Sequence, residues 1–184
     1  MYLLPTMLAV DGRDYPIRTD YRVALTIFEA FNDPSLSPQK KALTAVECLF
    51  REIPDDFAKA YERAVWFLDG GDMPKSKQAP RRLMDWEQDE YIIFPALSKA
   101  AGYEVRSVKY LHWWSFLGLF NEVGEGLYSQ LMNIRSKLAR GKKLEKWERE
   151  FYSDHKELIV LKEKLTPEEQ AELDREQAWI DSIC

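Results

Sequence analysis

The residue types that most often carry catalysis or hold metal ions are scarce in this chain of 184 residues, which contains two histidines and two cysteines. A metal site on a helix needs a second ligand three or four residues from the first. Neither His112 nor His155 has a carboxylate, histidine or cysteine at that spacing. We therefore expect no metal site and no cofactor. We expect His112 to be a partly buried histidine that hydrogen-bonds a backbone carbonyl or a side chain.

Carboxylates cluster in one short stretch, at Asp85, Glu87, Asp89 and Glu90. Such a cluster could serve acid–base chemistry, but acids are more typical of the positive N-terminus of a helix, and we favour that interpretation. The chain has no glycine-rich phosphate loop, no Gly-x-Ser-x-Gly motif and no recognisable Cys–His pairing. The sequence therefore predicts a protein that is not an enzyme.

The most informative segment is 110–121, YLHWWSFLGLFN, a run of twelve uncharged residues that holds two adjacent tryptophans. The run is shorter than the about 20 apolar residues that a helix needs to span a bilayer. It therefore predicts a buried helix, from about residue 107 to near residue 124, and no membrane partner.

Apolar side chains cover most of the circumference of this predicted helix. Trp113, Phe116 and Phe120 lie on one stripe, beside a second apolar stripe. Such a helix either lies at the centre of a bundle or keeps one face for another chain, and both interpretations stay open. The candidate partner-binding residues are Trp113, Phe116, Phe120 and Trp147.

Charge is distributed unevenly along the chain, whose formal net charge of −5 argues against general nucleic-acid binding. Residues 135–149 contain seven basic residues against two acids, whereas residues 163–181 contain seven acids against two basic residues. The basic segment is either a solvated helical face or a phosphate-binding surface with Trp147 as a stacking ring. The acidic segment could fold back and neutralise it. The candidate electrostatic surface comprises Arg135, Arg140, Lys142, Lys143 and Lys146.

Periodicity and turn residues predict a mainly α fold, a multi-helix bundle with a small N-terminal β-hairpin. The hairpin is predicted over residues 7–17, around the Asp-Gly pair at 11–12. Helix starts are predicted at Thr19 or Asp20, at Ser37-Pro38, at Asp85, and at Thr166, which can form a capping box with Glu169.

Composition also predicts how the chain is divided, because residues 69–82 show no apolar period. The predicted parts are 1–68 for the hairpin and three helices, 69–82 for an exposed linker or loop, 83–140 for an aromatic-rich helical half, and 141–184 for a charged helical C-terminal segment. Cys48 lies in an apolar helical pattern and Cys184 is the last residue, so we expect no disulfide between them and a reducing compartment.

Three places in the chain carry a recognisable combination of motifs. They are Asp11-Gly12 with Tyr15-Pro16-Ile17 and Thr19-Asp20-Tyr21-Arg22; Asp85-Trp86-Glu87-Gln88-Asp89 followed by Ala101-Gly102-Tyr103; and Leu111-His112-Trp113-Trp114-x-Phe116-Leu117, with Asn121 and Ile134-Arg135 downstream. In these motifs the chain resembles the protein family of tailed phages and prophages that is named after bacteriophage gene product fifteen. Together these places span most of residues 8–140.

The resemblance implies a role in phage tail morphogenesis in the cytoplasm of the bacterial host, as a tail assembly chaperone that binds the tape-measure protein. It implies no catalytic residues. Two alternatives stay open, namely a nucleic-acid-associated protein that uses residues 135–149 and a structural tail or connector component. Self-association into a homo-oligomer also stays open.

Overall fold

The chain folds mainly as α-helices behind a two-stranded hairpin, in a computed structural model that describes residues 3–72 and 82–183. The mainly α fold and the N-terminal hairpin predicted from the sequence are both confirmed. Most of the predicted linker lies outside the described residues. The elements are β1 (Met7–Val10), β2 (Arg13–Pro16), α1 (Tyr21–Asn32), α2 (Pro38–Leu49), α3 (Phe57–Leu68), α4 (Glu90–Ala101), a 3-10 turn (Val105–Ser107), α5 (Trp113–Asn121), α6 (Leu127–Ala139), α7 (Lys146–Asp154), α8 (Lys156–Ile159) and α9 (Pro167–Ile183).

The hairpin joins β1 and β2 in antiparallel register through a two-residue turn. Both turn residues have positive φ angles, 51° for Asp11 and 79° for Gly12, as the tight turns that match strand twist require. Leu8 and Val10 alternate with exposed residues on β1 and are buried together with Tyr15 of β2. One face of the hairpin therefore belongs to the core.

The first helices begin where local capping residues predict. The Asp20 carboxylate accepts the N–H of Arg22 at the start of α1, and the Ser37 hydroxyl accepts an N–H at the start of α2, where Pro38 is the first helical residue. Each cap satisfies a backbone donor that the helix itself cannot pair.

Helix α4 begins later than predicted. Asp85 does not start a helix; its carboxylate accepts the N–H groups of Glu87 and Gln88 at 3.1 and 3.0 Å and closes a turn over residues 86–89. Helix α4 starts only at Glu90, and the carboxylate of the preceding Asp89 bonds the buried Arg135 and does not cap the helix.

The aromatic helix α5 is also shorter than predicted, since it starts at Trp113 and ends at Asn121. The residues before it are extended and pair with the segment before α1: Trp113 N–H donates to the Thr19 carbonyl at 2.7 Å, and Tyr21 N–H donates to the Leu111 carbonyl at 2.9 Å. Pairing with a distant segment therefore replaces the predicted first turns of this helix.

Buried side chains form two groups. The first joins the hairpin, α1, α2, α3, α4 and α5, and the second consists of Ile92, Leu131, Ile134 and Ile159 from α4, α6 and α8. Helix α4 contributes to both groups. The indole N–H of Trp113 donates to the Leu68 carbonyl at 3.0 Å, so the first group unites segments from both sides of residues 69–82.

The last helix stands apart from this packing. Its predicted capping box is confirmed, with Thr166 N–H donating to Glu169 Oε2 at 2.7 Å and Glu169 N–H donating to Thr166 Oγ1 at 3.2 Å. Every side chain of α9 from residue 167 to 181 is exposed. Among the described helices, α9 included, none has both the length and the hydropathy that crossing a bilayer requires.

Candidate functional site

Two of the four predicted partner-binding rings belong to the core. Trp113 and Phe116 are 1% and 0% exposed. Their rings stack on each other at 5.5 Å between centroids, and Phe116 stacks on Tyr21 of α1 at 4.7 Å. The partner-binding prediction is therefore wrong for these two residues, because α5 turns this stripe toward α1 and not toward solvent.

His112 serves as the N-cap of α5. Its Nδ1 accepts the N–H of Trp114 at 3.0 Å, so the ring proton is on Nε2, which donates to the Pro5 carbonyl at 3.0 Å. The imidazole is buried and links the N-terminal segment to the aromatic helix. The expected hydrogen bond from His112 to a backbone carbonyl is confirmed. The part of the chain that the structure describes contains no group of three or more His, Cys, Asp or Glu placed to hold a metal ion.

Arg135 is the one residue of the predicted electrostatic surface that is buried. Its guanidinium forms two bonds to the Asp89 carboxylate, at 2.6 and 2.8 Å, and the two side chains are 4% and 1% exposed. It also donates to the carbonyls of Leu83, Leu158 and Ile159. The surface prediction is wrong for Arg135, because it shares the inward face of α6 with Leu131 and Ile134.

A second buried carboxylate extends this connection. Asp85 is bonded to Arg82 at 2.7 Å and lies 3.9 Å from the ammonium of Lys164. Burial alone would raise the pKa of Asp85, but the N–H of Gln88 and the guanidinium of Arg82 outweigh burial and lower that pKa. Asp85 is therefore ionised at neutral pH and ties the 160–166 segment to the start of α4.

A depression of about 1030 Å³ lies at the surface beside Arg82, Asp85 and Lys164. Its walls carry four cations and four acids, and two of these, Lys164 and Glu87, form an ion pair at 2.9 Å. Balanced charges that pair with one another give no net field for a charged ligand. This depression is therefore a weaker candidate for a binding site than the two surfaces described next.

The first candidate surface is basic and lies where α6 gives way to α7. Of the two acids of this segment, Glu148 is buried and Glu145 is exposed, and both pair with Lys137, at 2.6 and 3.7 Å. The ammonium of Lys137 lowers the pKa of Glu148. The five exposed cations of the segment form no ion pair within residues 3–72 and 82–183. This basic surface consists of Leu138, Arg140, Lys142, Lys143, Lys146, Trp147 and Arg149, all exposed.

Trp147 is the predicted partner-binding ring that the structure leaves at the surface. Trp147 is 46% exposed, and its indole N–H donates to Glu145 Oε2 at 3.2 Å. That bond holds the ring on the first turn of α7. Trp147 thus adds an apolar contact beside the cations of the basic surface, and its partner-binding role stays a prediction.

The second candidate surface is a groove of about 450 Å³ between α4 and the turn from α5 to α6. A cavity of this size lies within the range that holds ligands or the side chains of a docked segment. Phe120, the remaining predicted ring, lies half-buried below it and meets Tyr128 edge-on at 5.6 Å. Burial raises the pKa of Tyr128 to about 12. The apolar lining of this α4–α6 groove includes Tyr91, Pro95, Ala96, Val123, Leu127 and Tyr128.

Sequence reasoning missed this groove, although a signal for it exists. Ala96 and Ala100 are small residues one helical turn apart on α4, and both line the groove together with Gly124 and Gly126. Small side chains on the outer part of a helix leave space that larger ones would fill. That space becomes a groove only because the turn after α5 lies against α4.

Comparison with known proteins gives one match. A family model described as Bacteriophage Gp15 protein matches residues 2–161. No curated protein and no solved structure matches the chain. The matched range includes the hairpin, the aromatic helix, the basic surface and the groove, and it ends before α9.

Proposed function

We propose, from the premise that this chain belongs to the bacteriophage Gp15 protein family, that it is a non-enzymatic tail assembly chaperone that binds the tape-measure protein. Membership makes the chain a phage structural or morphogenesis protein. The chaperone role and the partner are the further steps of the proposal. In this role the protein would hold the long, aggregation-prone tape-measure chain until the tail tube assembles around it.

The observation that carries the proposal is the α4–α6 groove. Exposed apolar side chains, Tyr91 on α4 and Leu127 on α6, flank a lining of small and apolar residues. The charged residues of the lining are Lys99, Glu122 and Glu125. Amphipathic helices bind other proteins by laying their apolar face in a groove of this kind. A helical segment of the tape-measure protein is the occupant that we assign to it.

The proposal assigns the protein no catalytic step. Both histidines already have hydrogen-bond partners on the backbone, since Nδ1 of His155 lies 3.1 Å from the Phe151 carbonyl and His112 caps α5. The buried carboxylates Asp85 and Asp89 are held by Arg82 and Arg135. These groups maintain the structure, and none of them faces the groove.

Co-expression with the tape-measure protein tests the proposal. We expect the two proteins to purify as a complex, and we expect mass spectrometry of finished virions to lack this chain. Failure of every fragment across the tape-measure protein to bind would overturn the proposal. Finding the chain in finished tails at a fixed copy number would instead identify a structural tail or connector component.

The basic surface favours a second candidate, a nucleic-acid-associated protein. Five exposed cations without ion pairs in the described residues could contact phosphates, with Trp147 stacking on a base. Such binding would weaken steeply with salt, and Lys142→Glu with Lys143→Glu would reduce the salt dependence by about one unit of slope per lost phosphate contact. Absence of a gel shift at low salt would eliminate this candidate.

A further inference from the structure

We propose that α9 of one copy of this protein docks on the basic surface of a second copy, so that two chains exchange their C-terminal helices. The proposal concerns self-association and does not depend on the tape-measure partner. It is carried by the match between two exposed surfaces of opposite charge, each of which also presents apolar side chains.

One face of α9 combines acidic and apolar residues. Glu169, Leu173, Glu176 and Ile180 follow the i, i+4, i+7, i+11 spacing, so their side chains stand in one row along the helix. Leu173 and Ile180 are both exposed. Glu172 belongs to the neighbouring row. A partner for this face must therefore offer cations and apolar contacts together.

Like the cations of the basic surface, the acidic side chains of α9 are available for ion pairs with another chain. Within the described part of the chain, no acidic side chain between residues 168 and 181 forms an ion pair. Two of its acids, Asp174 and Asp181, accept local bonds from Gln170 and Gln177 of the same helix. Most of the stability of a helix in a protein comes from the packing of one of its faces. Docking would bury the face of α9 that carries Leu173 and Ile180, both of which are exposed in a single copy.

The basic surface offers the complementary groups. Four of its cations, at residues 140, 142, 143 and 146, lie in the sequence between two exposed apolar side chains, Leu138 near the end of α6 and Trp147 in the first turn of α7, and the fifth, Arg149, follows Trp147. Gly141, with φ of 65°, ends α6 and reverses the chain, which brings Lys142 and Lys143 to the negative C-terminal end of that helix. Apolar anchors within a charged rim are the usual composition of a protein interface.

A second copy is the better partner than the same chain. The segment before α9 is fixed to the start of α4, because Gln88 bonds the Val160 carbonyl at 2.9 Å and the Lys162 N–H at 2.9 Å, and Lys164 bonds Glu87. The first turn of α9 lies near α1, where Gln170 and Thr26 line the same depression. From this anchored start α9 forms no ion pair with the basic surface within the described residues. Mutual exchange between two copies would satisfy both surfaces and close a symmetric dimer.

A charge-swap mixture of full-length chains tests the exchange. The first variant carries Lys142→Glu and Lys143→Glu, and the second carries Glu172→Lys and Glu176→Lys. All four positions are exposed, so both variants are expected to fold like the wild type. A control matched to the first variant carries Lys40→Glu and Lys109→Glu, which change the net charge by the same amount as Lys142→Glu and Lys143→Glu on exposed sites elsewhere.

Mass measurement by sedimentation at low and high salt gives the readout. We expect the wild type and the control to dimerise at low salt and to dissociate at high salt. Each swap variant alone should bind itself about tenfold more weakly, and an equimolar mixture of the two should recover the dimer. A wild type that is monomeric at all salt concentrations would overturn the proposal, as would a mixture no more associated than its components. Salt-sensitive compaction of a monomer would indicate that α9 docks within one chain and would refute the exchange. A first variant that loses nucleic-acid binding but keeps the oligomeric mass of the wild type would refute it too.

Discussion

Arg135 and Asp89 form a buried pair in which both guanidinium Nη atoms meet both carboxylate oxygens, at 2.6 and 2.8 Å. The pair joins the middle of α6 to the residue that precedes α4. Those two helices form walls of the α4–α6 groove. The same guanidinium holds the carbonyls of residues 158 and 159, so one side chain fixes the relative positions of α4, α6 and α8.

Replacement of Arg135 by alanine is expected to destabilise the fold strongly. It would leave the Asp89 carboxylate buried without its cation, a change that costs about 3–5 kcal/mol. Urea unfolding measures this loss. Arg140→Ala, on the exposed end of the same helix, should change the free energy of unfolding by at most about 0.5 kcal/mol. Equal effects of the two substitutions would show that the buried pair does not hold the helices together.

The aromatic residues should separate into core and surface positions. Trp113→Ala should lower the free energy of unfolding by about 3–5 kcal/mol, because it empties a fully buried site and removes the bond to Leu68. Trp147→Ala, at an exposed position, should stay within about 0.5 kcal/mol of the wild type. Denaturant titration compares them directly, and a large loss for Trp147 would place that ring in the core instead.

Glu104 should make the stability of the fold depend on pH in the acid range. The Arg106 side chain donates to the Glu104 carboxylate at 2.8 Å, and this bond, with the backbone N–H of Arg106, lowers the pKa of Glu104 to about 2. A pKa below the unfolded value contributes stability that is present above about 4.5 and is lost as the pH falls toward 2. Glu104→Gln should therefore be destabilising at pH 7 and near neutral at pH 2.

A carboxyl NMR titration measures this directly in the wild type. Its midpoint for Glu104 should lie near 2 and should move up toward the ordinary value in Arg106→Ala. A midpoint that is the same in both proteins, at the ordinary glutamate value, would remove the assigned role of Arg106.

Local signals made the hairpin and several helix starts predictable from the sequence. Asp11-Gly12 specifies its turn by backbone preference alone, and Asp20 and Ser37 bond N–H groups two or three residues away. The starts of α4 and α5 were predicted too early because distant partners decide them. Asp89 pairs with a residue 46 positions away, and the residues before α5 pair with the segment before α1.

The candidate site was less predictable than the fold. Periodicity placed Trp113 and Phe116 on one stripe of α5, but both stripes are apolar, and the pattern does not say which one meets α1. The burial of Arg135 had a signal in the sequence, because Arg135 lies on the same helical face as Leu131 and Ile134. The carboxylates Asp85 and Asp89 upstream could have suggested its partner. The groove depends on how the turn after α5 lies on α4, which is a tertiary relationship.

The measurement that tests the central claim most directly is the affinity of this protein for helical fragments of the tape-measure protein, compared between two alanine-to-tryptophan variants. Ala100→Trp fills the groove from an exposed position of α4, and Ala58→Trp adds the same side chain on the exposed part of α3, outside the groove. Isothermal titration should show binding weakened by about tenfold or more in Ala100→Trp and unchanged in Ala58→Trp, with equal melting temperatures. Wild-type affinity in Ala100→Trp would contradict the assignment of the α4–α6 groove as the site where the tape-measure chain binds.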